Sequence, residues 1–378
     1  MSDLLSKRPT WAEINLDNLI HNYRVTKAAV GGNVAIMAAV KANAYGHGAV
    51  ECSRALEAAG VDWFGVALPE EGVTLRQSGI TKPILCLAGF WEGQEKSILA
   101  HRLTPVVFRL DLLEKLDRAA QAAGVGADYH LKVDTGMGRL GVPSGELGSF
   151  LNDVGRLKKV KLDGVMTHLA SADCLDKREF TEQQISRFEV AVELVRGAGH
   201  TPTWMHEANS AATHAYPRSR GSLVRLGGVL YGLWRDVTDH SIEPLDWLPV
   251  MSVRTRIMFL KTVQSGCPLG YGGTFVTLRE SRIATLAIGY EDGLRRDLSN
   301  RGQVIVRGQL VPIVGRVSMD LTLVDVTDVE GVMVGDEAVV IGSQGSLQIT
   351  AEEVAAKIGT ISYEVTCGIS DRVPRVHS

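Results

Sequence analysis

Lys41 closes the run AAV and opens the segment ANAYGHG, so its ammonium would be costly to bury unless the charge is neutralised. A Schiff base would neutralise it, which makes covalent catalysis one reading. A lysine snorkelling at the rim of a cleft is the other. Tyr271 in GYGGTF and His168 in THLASAD carry groups able to move protons. Taken alone, the tyrosine reads as a turn or packing residue and the histidine as a satisfied core group. Arg225, at the end of an apolar run, reads by type as a structural ion-pair partner. The pairs Asn209-Ser210 and Gly227-Gly228 offer hydroxyl groups and open backbone N–H groups of the kind that hold phosphate, and by themselves are common turn sequences.

These residues need a scaffold. Apolar, β-branched-rich segments fall at 34–41, 63–68, 83–88, 105–108, 129–134, 162–168, 203–207 and 224–228, and most gaps show helical apolar spacing, as at 49–59, 110–123 and 181–198. Eight strands alternating with helices predict an α/β fold, a (β/α)8 TIM-like barrel; a doubly wound parallel sheet is the alternative from pattern alone. In a barrel, Lys41 stands at the C-terminal mouth of the first strand, and Asn209, Ser210, Gly227 and Gly228 follow strands seven and eight, where barrels commonly bind phosphate. After Asp246 the chain turns to short strand-like runs broken by glycines, a mostly β second domain. We therefore expect a barrel over residues 12–245 and a mostly β domain over 246–378, with residues 1–11 associating with the latter. Thr350, followed by two glutamates, marks a helix start.

The chain has 378 residues, more than one core usually serves, so two domains are expected. A formal net charge of -3 gives no basis for nucleic acid or an anionic membrane as partner. Five scattered cysteines without a CxxC pair suggest neither a disulfide framework nor a metal site. No signal-peptide-like or membrane-spanning apolar run is present, so the cytoplasm is the expected location.

The segment VKANAYGHG resembles the pyridoxal-phosphate (PLP) lysine signature of the alanine racemase family. The likeness continues in order through KVDTGMGRLG, THLASAD, HEANSAA, VRLGGVLYG, GYGGTF, GYEDGL, GRVSMD and ISYEV. The resemblance implies a racemase acting on L- and D-alanine, with PLP as electron sink and one proton-transfer group on each face of the substrate Cα. Lys41 would hold PLP and serve the D-side face, and Tyr271 the L-side face, its phenolate supported by His168 and Arg225. The family also places Arg225 against the pyridine nitrogen, where a guanidinium hardly surrenders its proton and the ring stays a weak sink that favours proton return.

By the same resemblance, Tyr45, Asn209, Ser210, Gly227, Gly228 and Tyr363 contact the phosphate. Arg139 contacts the PLP phenolic oxygen and substrate carboxylate, with Met319 facing that carboxylate from the second domain. Lys132 aligns with a lysine that is carbamylated in many relatives, the alternative being an unmodified rim lysine. Asp173, Tyr290, Arg296 and Arg316 would line a narrow polar entrance. Tyr271 and Met319 would come from the neighbouring subunit, making a homodimer with composite sites. The other readings are a broader-specificity amino-acid racemase, a decarboxylase of similar fold, and a non-catalytic PLP-binding barrel. The arginine against the pyridine nitrogen argues against the decarboxylase, and the second domain with Tyr271 against the last.

Overall fold

The computed structural model describes residues 9–236, 238, 239, 241 and 243–378. Eight parallel strands, Ala35–Ala39, Trp63–Val66, Ile84–Cys86, Thr104–Val107, Ala127–Asp134, Val160–Met166, Trp204–His206 and Leu223–Leu226, form one sheet. The eighth pairs with the first, Arg225 opposite Met37. Between the seventh and eighth, Ser222 N–H donates to Met205 O at 2.9 Å and Arg225 N–H to Ala208 O at 3.0 Å, which draws the barrel almost shut. The doubly wound alternative is thereby excluded. These strands are covered on both faces, which is why they read as continuous apolar runs and not as alternating ones. Met37, Trp63, Leu85, Val106, Met166 and Leu223 form a buried cluster separate from the main core and fill the barrel interior.

Helices of amphipathic spacing form the outer layer, among them Ala49–Ala58, Leu110–Ala123 and Arg178–Gly197, close to the spans their periodicity predicts. The mostly β unit is a second sheet in the order Gln309–Pro312, Gln303–Val306, Glu337–Gln344, Met251–Val263, Trp11–Ile14, Arg375–His377. Trp11–Ile14 runs antiparallel to Met251–Val263 and parallel to Arg375–His377. The expected boundary at residue 12 therefore falls inside a strand of the second sheet, because Trp11–Ile14 finds its hydrogen bonds there and the barrel begins after it. Of the N-terminal stretch expected to join this domain, residues 1–8 lie outside the described residues. The helix Ala351–Ile358 starts at Thr350, whose Oγ accepts from Glu353 N–H at 3.1 Å while Glu353 Oε2 accepts from Thr350 N–H at 2.8 Å, a reciprocal capping box.

Candidate active site

Lys41 follows the first barrel strand after a single residue, at its C-terminal end. The next residues do not continue a right-handed helix: Ala42, Asn43, Ala44 and Tyr45 have φ of 52°, 52°, 55° and 53°, a left-handed turn of non-glycine residues. Each such residue costs about 1–2 kcal/mol, so the surroundings must hold the turn. Glu71 does much of this. Its Oε1 accepts from Ala42 N–H at 2.7 Å and its Oε2 from Ala67 N–H at 2.6 Å, tying the turn to the end of the second strand. Asn43 Oδ1 accepts from Ala49 N–H at 2.8 Å. The turn directs Lys41 and Tyr45 into a cavity of about 500 Å³ at the barrel mouth.

Lys132, Arg139, His168, Asp173, Asn209, Ser210, Arg225, Gly227 and Tyr363 line the same cavity. The structure thus gathers eleven of the expected residues. Arg225 is 5% exposed and its guanidinium is fixed by backbone carbonyls. Nη1 donates to His206 O at 2.7 Å, and Nη2 to Thr167 O at 2.7 Å and Glu207 O at 3.0 Å. Burial pulls its pKa down to about 10, leaving it cationic at neutral pH. Nη2 also lies 3.2 Å from His168 Nδ1. Burial, reinforced by Arg225, Lys132, Arg139 and Lys41, depresses the His168 pKa well below the ordinary value, so the imidazole is neutral. A neutral ring whose Nδ1 accepts from Arg225 carries its proton on Nε2.

The same logic extends inward through residues the sequence reading did not assign. Arg225 Nη1 donates to His206 Nδ1 at 3.0 Å, and His206 lies 2.8 Å from His130 Nδ1 through its Nε2. Both histidines are fully buried and their pKa values lowered, so the bond runs from His206 Nε2–H to His130.

Lys41 has its pKa lowered, first by burial and then by Arg139. Lys132, 4% exposed, is pushed down to about 8 by burial and by Arg225 and Arg139. Both amines are therefore more nucleophilic near neutrality than a surface lysine. Asp134 shapes the loop bearing Arg139 by accepting from Gly136 N–H at 2.9 Å and Gly138 N–H at 3.1 Å.

At the far end stand two phenols from different domains, Tyr45 and Tyr363, with ring centroids 5.1 Å apart and edge-on. Burial raises the pKa of both, so they are hydrogen-bond donors. A Cβ on Gly227 would lie 2.5 Å from Tyr45 Oη, and one on Gly228 would lie 2.2 Å from Tyr363 Oη. Only glycine leaves room for these hydroxyls beside the backbone. Ser210 Oγ accepts from Gly227 N–H at 2.9 Å. Asn209 serves first as a helix cap, Oδ1 accepting from Ala212 N–H at 3.0 Å, which locates the Ser210 hydroxyl.

The cavity fits PLP. It has a nucleophilic lysine at the strand end, a fixed guanidinium at the eighth strand, and phenol, hydroxyl and glycine groups able to receive a dianionic phosphate.

Tyr271 does not line this cavity. It is 71% exposed in the turn Tyr271–Gly273, and Met319 is 50% and Tyr290 39% exposed. Arg296 and Arg316 are also exposed on the second domain. Gly228 begins the short helical turn Gly228–Tyr231 and meets the site through Tyr363. A single chain thus presents a large phenol to the outside, on the domain that also exposes Met319, Tyr290, Arg296 and Arg316.

A sequence profile for the alanine racemase N-terminal domain matches residues 14–234, and one for the alanine racemase C-terminal domain matches residues 250–377. An alanine racemase of Halothermothrix orenii is 44% identical over 370 residues, covering 97% of this chain and 96% of that protein. The structure of an alanine racemase of Clostridium difficile 630 superposes with a TM-score of 0.91 at 36% identity, covering 98% of this chain and 96% of the other. One from Bartonella henselae, described with covalently bound pyridoxal phosphate, superposes with a TM-score of 0.87 at 29% identity, covering 98% and 99%.

Proposed function

The chain belongs to the alanine racemase family and interconverts L- and D-alanine, and from that premise we propose how its residues divide the work. The observation that carries the reading is the convergence of Lys41, neutral His168 and carbonyl-fixed Arg225 in one cavity with the Tyr45 and Tyr363 phenols. PLP, when bound, supplies the electron sink that makes the substrate Cα acidic. Lys41 would hold the cofactor, Tyr45, Ser210, Gly227 and Tyr363 would receive its phosphate, and Arg225 would face its pyridine nitrogen. Asn209 and Gly228 act at the same end by holding Ser210 and admitting Tyr363.

Once substrate is in place, Lys41 Nζ moves the proton on the D-side face. Arg139 binds the substrate carboxylate as a planar fork. Tyr271 and Met319 of a second copy close the cavity, with the Tyr271 phenol moving the proton on the L-side face and His168 Nε2–H and Arg225 stabilising its charge. The exposure of Tyr271 and Met319 supports this homodimeric arrangement. Asp173, Tyr290, Arg296 and Arg316 then form a polar entrance. Among the described residues no helix is long and apolar enough to cross a membrane, and all five cysteines are free. Free thiols accord with reaction in a reducing cytoplasm.

The test pairs chirality with labelling. Purified protein given PLP should racemise alanine in both directions, and borohydride should fix a phosphopyridoxyl group on the peptide bearing Lys41. A label on another lysine, with Lys41 unmodified, would sink the assignment.

A further inference from the structure

Tyr363 belongs to the second domain, yet its ring lies in the barrel cavity, so something must fix the one against the other. It sits in the short helix Ser362–Cys367, whose preceding residue, Ile361, has no side-chain oxygen and makes no capping bond. The cap comes from elsewhere. Asp236 lies in the segment after the turn Gly228–Tyr231. Its Oδ2 accepts from the Ser362 backbone N–H, and its Oδ1 accepts from Ser362 Oγ–H at 2.8 Å. Ser362 is fully buried and directly precedes Tyr363, so both carboxylate oxygens grip the residue that sets the tyrosine's reach.

The tolerance is narrow. Tyr363 Oη lies 2.2 Å from the point a Cβ on Gly228 would occupy, and the ring packs edge-on against Tyr45 at 5.1 Å. A small displacement of Ser362 takes the hydroxyl away from Gly228 and from the phosphate end.

We propose that Asp236 is a positioning residue: it caps the helix Ser362–Cys367 across the two domains and thereby seats the Tyr363 hydroxyl at the cofactor's phosphate end. Asp236 also stands in the wall of the cavity, but both of its oxygens are engaged by Ser362, so its contribution to cofactor binding runs chiefly through Ser362 and Tyr363. The inference rests on the reading that this cavity takes PLP.

The test titrates cofactor-free protein with PLP and follows absorbance in wild type, Asp236→Ala, Tyr363→Phe and the double variant. Losing a charge-assisted cap should raise the PLP dissociation constant about tenfold. Tyr363→Phe should weaken binding to a similar degree. The double variant should stay within about twofold of the weaker single, because both changes remove the same contact. Ser362→Ala, which deletes only the Oγ arm, should raise the constant about threefold with the same lack of additivity, and it decides the matter if Asp236→Ala does not fold. A merely structural cap predicts otherwise: single effects that multiply in the double variant. Multiplying effects, or unchanged PLP affinity in the Asp236 and Ser362 variants, overturn the inference alone. A wild-type chain that takes up no PLP overturns the cofactor reading and this inference together.

Discussion

Lys132 shows how the site tunes a single residue. It shares the cavity with Lys41, Arg139 and Arg225, so burial and neighbouring positive charge act in the same direction on its amine. With its pKa down to about 8, the free-amine fraction below that point grows roughly tenfold for each unit by which the pH is raised. Carbon dioxide reacts only with the free amine, and a carbamate would exchange a costly buried cation for an anion beside Arg139 and Arg225. Protein in ¹³C-bicarbonate should therefore show a carbamate resonance that grows between pH 6.5 and 8.5 and is missing from Lys132→Arg. A spectrum with no such signal at pH 8.5 would leave Lys132 an ordinary buried amine.

At the scale of the element, the left-handed turn after Lys41 stores strain where the chemistry is. Four successive residues hold positive φ, and Glu71, Asn43 and the approach of the C-terminal segment keep them there. Ala42 is exposed, so replacing it with glycine removes steric strain without emptying the core. Ala42→Gly should stabilise the folded protein by about 0.5–1 kcal/mol, the relief exceeding glycine's entropic cost, as measured by denaturant unfolding. Destabilisation by a similar amount would mean that the turn is not strained at this residue. Glu71→Ala should act in the opposite sense, since it strips a half-buried anchor from the Ala42 and Ala67 amides.

For the whole molecule, the decisive matter is the separation of Lys41 from Tyr271. The first opens the barrel mouth and the second stands exposed on the β-domain, outside the cavity of its own chain. If sites are shared between copies, inactive Lys41→Ala and Tyr271→Phe homodimers should complement when unfolded together and refolded. Each heterodimer has one site bearing both lesions and one intact site, so random pairing restores about a quarter of wild-type sites. Mixed dimers confirmed by mass spectrometry but no more active than their parents would exclude the shared site.

The sequence by itself pointed to the barrel, to the β texture after residue 246 and to eleven of the residues that line the cavity at its mouth. Strand alternation, helical spacing and local motifs are short-range signals, and Lys41, His168 and Arg225 each sit at or beside a strand end that such signals locate. Only the tertiary structure decided the rest. Trp11–Ile14 is four residues with no periodic cue, and its membership in the second sheet depends on partners more than two hundred residues away. ANAY has no glycine to announce a left-handed turn, which exists because Glu71 and the packed C-terminal segment hold it. Asp236 carries no motif either: its meeting with Ser362 spans 126 positions. That His168 is neutral and Lys132 half-way to a free amine near pH 8 follows from burial and neighbouring charge, which arise only when strands distant in sequence close around one cavity.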